Sequence, residues 1–176
     1  MKIVCDEAGQ DLGYWALFPV EEEVFHQFLN GELNHGQILA NHVLGWDSVV
    51  TSSMFLYVVG VVVPSAGAYV SGRVLLDMFS FVIDIMERMD VAGIFGYPSC
   101  DSGYKMFEHM GFTNSGVIVG NADGQPVFYV SEIDGRLACI KHELLKCVRK
   151  EFKRVPIWRE DDRRRFLTRI TQESSP

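Results

Sequence analysis

Three stretches of the chain carry residue types able to do chemistry. Residues 64–72, PSAGAYVSG, are a run of small residues ahead of an apolar stretch beginning GRVLL. Small side chains let main-chain N–H groups approach an anion, and a helix starting there adds unpaired first-turn donors and its dipole. Those donors would come from about Gly67 to Arg73, with Arg73 offering a charge-assisted contact to a phosphate. Residues 100–112, CDSGYKMFEHMGF, hold a thiol, a phenol and an imidazole. On a helix, Tyr104 and Phe107 share one face, and Tyr104 is a candidate proton donor. Cys100 has no base beside it in sequence and reads as a buried, inert thiol. His109 suits a helix C-terminus, where partial positive charge is favoured. The third stretch is basic: Lys146, Arg149, Lys150, Lys153 and Arg154, then Arg163 to Arg165, with Phe152, Trp158 and Phe166 between them. Such a pattern could hold nucleic-acid phosphates and stack bases, although a solvated amphipathic helix is the simpler reading.

The four cysteines lie far apart with no C-x-x-C pair, and the five histidines have no H-x-x-x-H spacing. Neither a metal site nor a disulfide framework is expected, and the thiols suit a reducing, cytoplasmic setting. The first residues, MKIVCDEAG, turn acidic after a short apolar stretch and lack the apolar region of a secretory signal. The chain has 176 residues, 48% of them hydrophobic and 22% charged, enough to bury a core without a staple. Its net charge of -7 is uneven: residues 141–176 hold 11 of the 16 Lys and Arg, whereas residues 1–140 are strongly acidic.

Ser48 to Gly72 contains no charged residue, a length that could span a bilayer. Its serines, its glycines, Pro64 and the absence of a flanking cluster of Lys or Arg argue instead for a buried strand, FLYVVGVVV, followed by a loop. A hairpin is expected from residues 2–6 and 12–18, ending at Pro19, then a helix in EEEVFHQFLNGEL and a short one at 35–43. The buried strand covers 49–63 and a helix covers 72–89, with Asp77, Ser80, Asp84 and Glu87 on its wet face. VAGIFGYP is the next strand, DSGYKMFEHM a helix stopped by Gly111, and residues 116–133 two strands turning at 122–124. A helix follows Gly135, Pro156 ends it, and a charged helix near 160–170 closes the chain. This order implies an α+β fold on a mixed, mostly antiparallel sheet.

The spacing in residues 100–112, small-x-x-Gly103-x-x-x-Phe107-x-x-x-Gly111-Phe112, resembles the helix and turn between the fifth and sixth strands of GNAT-type N-acyltransferases. The strand ending at Val63, the small-residue loop and the helix beginning GRVLL are similar to the acyl-CoA-binding segment of the same superfamily. The resemblance covers about residues 48–133. It implies an acyltransferase domain over 1–135, with parallel strands that splay apart, and a basic helical extension over 136–176. It also implies an acyl-CoA cofactor, acetyl-CoA in the first instance, whose pantetheine arm lies between the splayed strands and bonds main chain near Val61 and Val63. A bulge at Gly60 would start the separation and turn an N–H toward the oxyanion formed at the thioester. Gly67, Val70, Ser71, Gly72 and Arg73 would cradle the pyrophosphate, with Ser102 completing the cofactor contacts. The family loop usually has Arg or Gln, two positions, Gly, one position, then Gly or Ala; here Gly67, Val70 and Gly72 stand at those points.

Many members carry a tyrosine that protonates the leaving thiolate where this chain has Phe107, which leaves Tyr104 as the candidate acid. Glu22 is the candidate base, with Glu23, His26 and Asp47 as alternatives. The expected activity is transfer of an acyl group to a primary amine of a small molecule or a protein, in a ternary complex. The acidic body suits a cationic acceptor. A catalytically inactive binding module and a nucleic-acid-binding tail remain the alternatives, and a dimer is compatible with all three.

Overall fold

In the computed structural model, residues 2–5, 8–38, 40–46, 53–62, 68–98, 100–118, 124, 126–132 and 136–152 are described. The fold is α+β. Among the described residues, six strands form one sheet in the order β1-β2-β3-β4-β6-β5, antiparallel throughout except for the central pair β3 and β4. The strands are β1 (Lys2–Cys5), β2 (Asp11–Val20), β3 (Met54–Val62), β4 (Val91–Gly96), β5 (Thr113–Ile118) and β6 (Pro126–Ser131). The helices are α1 (Glu22–Leu29), α2 (Ala68–Arg88), α3 (Asp101–His109) and α4 (Leu137–Phe152). Among the described residues, no helix is long and apolar enough to cross a membrane.

Alternation along the strands supplies two cores, one on each face of the sheet. On β3, Met54 and Leu56 face α2, α3 and α4, while Phe55 and Tyr57 face α1. Helix α1 begins with Glu22 and Glu23 at the positive end of its dipole and drives Val24, Phe25 and Phe28 into the second core. Phe25 stacks on Phe55 at 4.2 Å, and Phe28 packs on Tyr57 and Phe95. The segment expected as a second helix at 35–43 is instead two 3-10 turns, His35–Gln37 and Ala40–His42.

Helix α3 ends as its sequence dictates. Gly111 takes φ +84, and the Phe112 N–H donates to the Phe107 carbonyl at 3.0 Å, which closes the last turn. The same turn brings the rings of Phe107 and Phe112 to 5.0 Å.

Helix α2 departs from the expectation in two ways. It starts at Ala68, so residues 68–72 form its first turns and are not loop. Its polar stripe is also largely covered. Asp77 accepts from the Trp15 indole N–H at 2.8 Å and pairs with Lys2 at 2.7 Å. Glu87 meets Lys141 of α4 at 3.7 Å, and the Ser80 hydroxyl is buried without a hydrogen bond. Helix α4 lies along this side and sets Leu137, Ile140 and Leu144 into the same core as α2. Residues 137–145 of α4 therefore pack into the main core. The charged helix expected near 160–170 and the turn residues 122 and 123 lie outside the described residues.

Candidate functional site

At the central parallel pair, β3 outruns its partner. Strand β3 is zipped to β4 from Met54 to Val58, with Val58 opposite Gly96 as the last pair. β4 then ends, but β3 continues to Val62 while still paired with β2. Along β2, Ala16 faces Gly60 and the next residue, Leu17, faces Val58. Val59 is thus an extra residue with no counterpart, a bulge one position before the glycine expected to cause it. Beyond Val58, β3 presents main chain toward a strand that has already left, which makes a wedge in the sheet.

Next along the chain from this wedge comes helix α2. The first turn of α2, from Ala68, begins after five intervening residues from the end of β3, and it carries no acidic residue that would answer its positive end. Val70, Ser71 and Gly72 belong to that turn and the next, and Arg73 follows with partial exposure. Val61 lies on the unzipped part of β3. Val63 and Gly67 fall outside the described residues, and of the Ser102 side chain nothing is described beyond its position in the first turn of α3.

On the face covered by α2 and α3, Phe107 closes the wedge. Its ring tip lies 3.4 Å from where a Cβ on Gly96 would stand, and the ring stacks on Phe128 at 5.3 Å. Behind it, Val58, Met78, Met106, Phe107 and Leu144 line a residual apolar cavity of about 30 Å³. On the opposite face, the side of α1, two tyrosines flank the apex. Tyr57 pairs with Phe95 one step before the strands part, and Tyr97 comes one residue after Gly96. Their hydroxyls are hydrogen-bonded. Burial, and then Tyr97 itself, hold the Tyr57 phenol protonated far above its ordinary range.

The two residues assigned to proton transfer from sequence lie elsewhere. The Tyr104 hydroxyl accepts from Asn114 Nδ2 at 3.3 Å, and its ring meets Phe128 edge-on at 5.0 Å. Asn114 belongs to β5, the outer strand, which β6 separates from β4. Helical spacing put Tyr104 and Phe107 on one face, and both rings pack on Phe128 of β6, but the Tyr104 hydroxyl reaches outward to β5 while the Phe107 ring tip extends toward Gly96 of β4. Glu22 is exposed and meets His26 at 3.4 Å. It follows Val20, which pairs with Phe55 near the start of β3. The wedge opens at the other end, at least three residues or about 10 Å along the strand. Neither residue reaches the wedge. Cys100, expected to be buried, is exposed and forms no disulfide, as is true of Cys5 and Cys139.

Tyr97 and Tyr57 escaped the sequence reading because each sits in an apolar run that reads only as core. The signal that finds them is the parallel register, which no local pattern encodes. Lys146 is exposed and contacts Glu143, while the other basic tail side chains singled out above lie outside the described side chains. No cluster of three His, Cys, Asp or Glu side chains occurs among the described residues.

No protein-family profile matches the chain, and no curated protein matches it. Among solved structures, one described as "Crystal structure of bacterial toxin" is similar over 77% of this chain and 68% of that chain. The identity is 17% and the TM-score 0.45, a level of likeness that assigns neither family nor activity.

Proposed function

We propose that this protein is an acyl-CoA-dependent N-acyltransferase of the GNAT type, transferring the acyl group of acetyl-CoA to a primary amine. One observation carries the reading: β3 bulges at Val59 and runs on past β4 toward the N-terminus of α2. That arrangement supplies both things an acyl-CoA needs. Main chain of residues 59–62, on the side that β4 has left, can bond the amides of the pantetheine arm, and the acid-free first turn of α2 can hold the pyrophosphate. A bulge N–H near Val59 can stabilise the oxyanion that forms when the amine attacks the thioester. The acidic body favours a cationic acceptor such as a polyamine, an aminoglycoside-like compound or a lysine side chain.

The second reading keeps the acyl-CoA site and drops the reaction. It is favoured by Phe107, which has no proton to give, and by the distance of Glu22 from the wedge. Calorimetric titration with acetyl-CoA, followed by a free-thiol release assay with spermidine and a lysine-containing peptide, separates the two. Binding with amine-dependent thiol release supports the transferase, binding without release supports the binding module, and absence of binding removes both.

A further inference from the structure

We infer that the Phe107 ring restricts the acyl group held in the wedge to a short chain, acetyl or propionyl, by plugging the way from the apex into an apolar void behind it. The inference rests on the acyl-CoA site proposed above, with or without transfer, and names the acyl donors which that site takes.

A chain entering the apex, where Val58 and Gly96 form the last zipped pair, has three ways inward. Straight ahead, the paired strands leave no room. Toward α1, an aromatic cluster fills the space. Tyr57 and Phe95 stack at 5.0 Å, Phe28 meets them at 4.9 and 5.2 Å, and none of the three is more than 1% exposed. Toward α2 and α3, Gly96 offers no side chain. The tip of the Phe107 ring takes that gap, 3.4 Å from where a Cβ would stand. This third way is closed by a single side chain, not by main chain.

The plug is held firmly. Phe107 is buried, its ring stacks on Phe128 at 5.3 Å with the planes 11° apart, and Phe112 meets it edge-on at 5.0 Å. Swinging the ring aside breaks both contacts in a close-packed core. Behind it, the void of about 30 Å³ is walled by Val58, Met78, Met106, Met110 and Leu144, whose side chains offer only carbon and sulfur. A water there would find no side-chain partner, so the void is dry, and its methionines can reshape around an apolar guest. A short acyl group fits without entering this region. A longer one needs the space that the ring holds.

The test is calorimetric titration of the full chain with coenzyme A and its acetyl, propionyl, butyryl and hexanoyl thioesters. Wild type is expected to bind hexanoyl-CoA about 10-fold or more weakly than acetyl-CoA, the scale of misfit by a methylene in an apolar pocket. Phe107→Leu and Phe107→Ala shorten the plug in steps and should bring first butyryl-CoA and then hexanoyl-CoA level with acetyl-CoA. The leucine variant keeps most of the core volume, so it reads the effect should the alanine variant fail to fold. Wild type that binds hexanoyl-CoA as tightly as acetyl-CoA overturns the inference and leaves the acyl-CoA site standing. A folded Phe107→Leu with the chain-length preference of wild type also overturns it, because the ring is then not the limit. Wild type that binds neither coenzyme A nor any thioester overturns the acyl-CoA site and this inference with it.

Discussion

Substituting Gly96 by alanine tests the wedge at its apex. A Cβ there would stand 3.0 Å from the Val58 carbonyl oxygen, 3.3 Å from Val58 Cβ and 3.4 Å from the Phe107 ring. The ring contact is ordinary, but the first two are tight, and one is main chain that cannot rotate away. Relief requires β3 and β4 to separate by a few tenths of an ångström one residue earlier than they do now. Overpacking of this kind costs about 1–3 kcal/mol. For a domain of this size the melting temperature should fall by roughly 2–12 °C. Adding Phe107→Leu should not restore stability, because the carbonyl contact remains. Differential scanning calorimetry of wild type, Gly96→Ala and the double variant provides the comparison. A Gly96→Ala melting temperature equal to wild type would mean that the strands are already apart at Gly96, and the register argued above would be wrong.

Other consequences can be measured directly. Because Tyr57 has a raised folded-state pKa, its contribution to stability is complete below the unfolded value of 10.0 and is lost as pH rises above it. Urea unfolding should therefore show an extra loss of about 1.4 kcal/mol per pH unit beyond pH 10, and Tyr57→Phe should remove that slope. Asp77→Ala, which strands the Trp15 indole and releases Lys2, should destabilise by about 1–3 kcal/mol, whereas Lys2→Ala should cost no more than about 1 kcal/mol by denaturant titration. Leu144→Ala should cost about 2–5 kcal/mol, and ending the chain at residue 136 should abolish cooperative unfolding, since α4 shares the main core.

Much of the frame was legible because local chemistry and global fold agree. The glycine at 111 stops α3, and the β-branched run at 54–62 makes a central strand. Pro19 marked the expected end of β2, yet the strand passes through it to Val20. There β1 no longer pairs with β2, so the missing N–H deprives no ladder, and the Pro19 carbonyl accepts from Leu44 at 2.8 Å. The polar stripe of α2 signalled solvent because periodicity reports amphipathicity and not what covers the polar face. Here a tryptophan from β2 and a lysine from α4 supply that cover. The bulge was legible to within one residue, from a glycine inside an apolar run. The side chains flanking the wedge were not, because their placement depends on where two strands distant in sequence part company.

Amide hydrogen exchange with and without acetyl-CoA tests the central claim most directly. Saturating acetyl-CoA should slow exchange at the amides of residues 59–62 on β3 and in the first turn of α2 from Ala68, and leave β1 and β5 unchanged. Exchange that stays the same at both places, or slows only elsewhere, would contradict an acyl-CoA site in the wedge between β3 and β4.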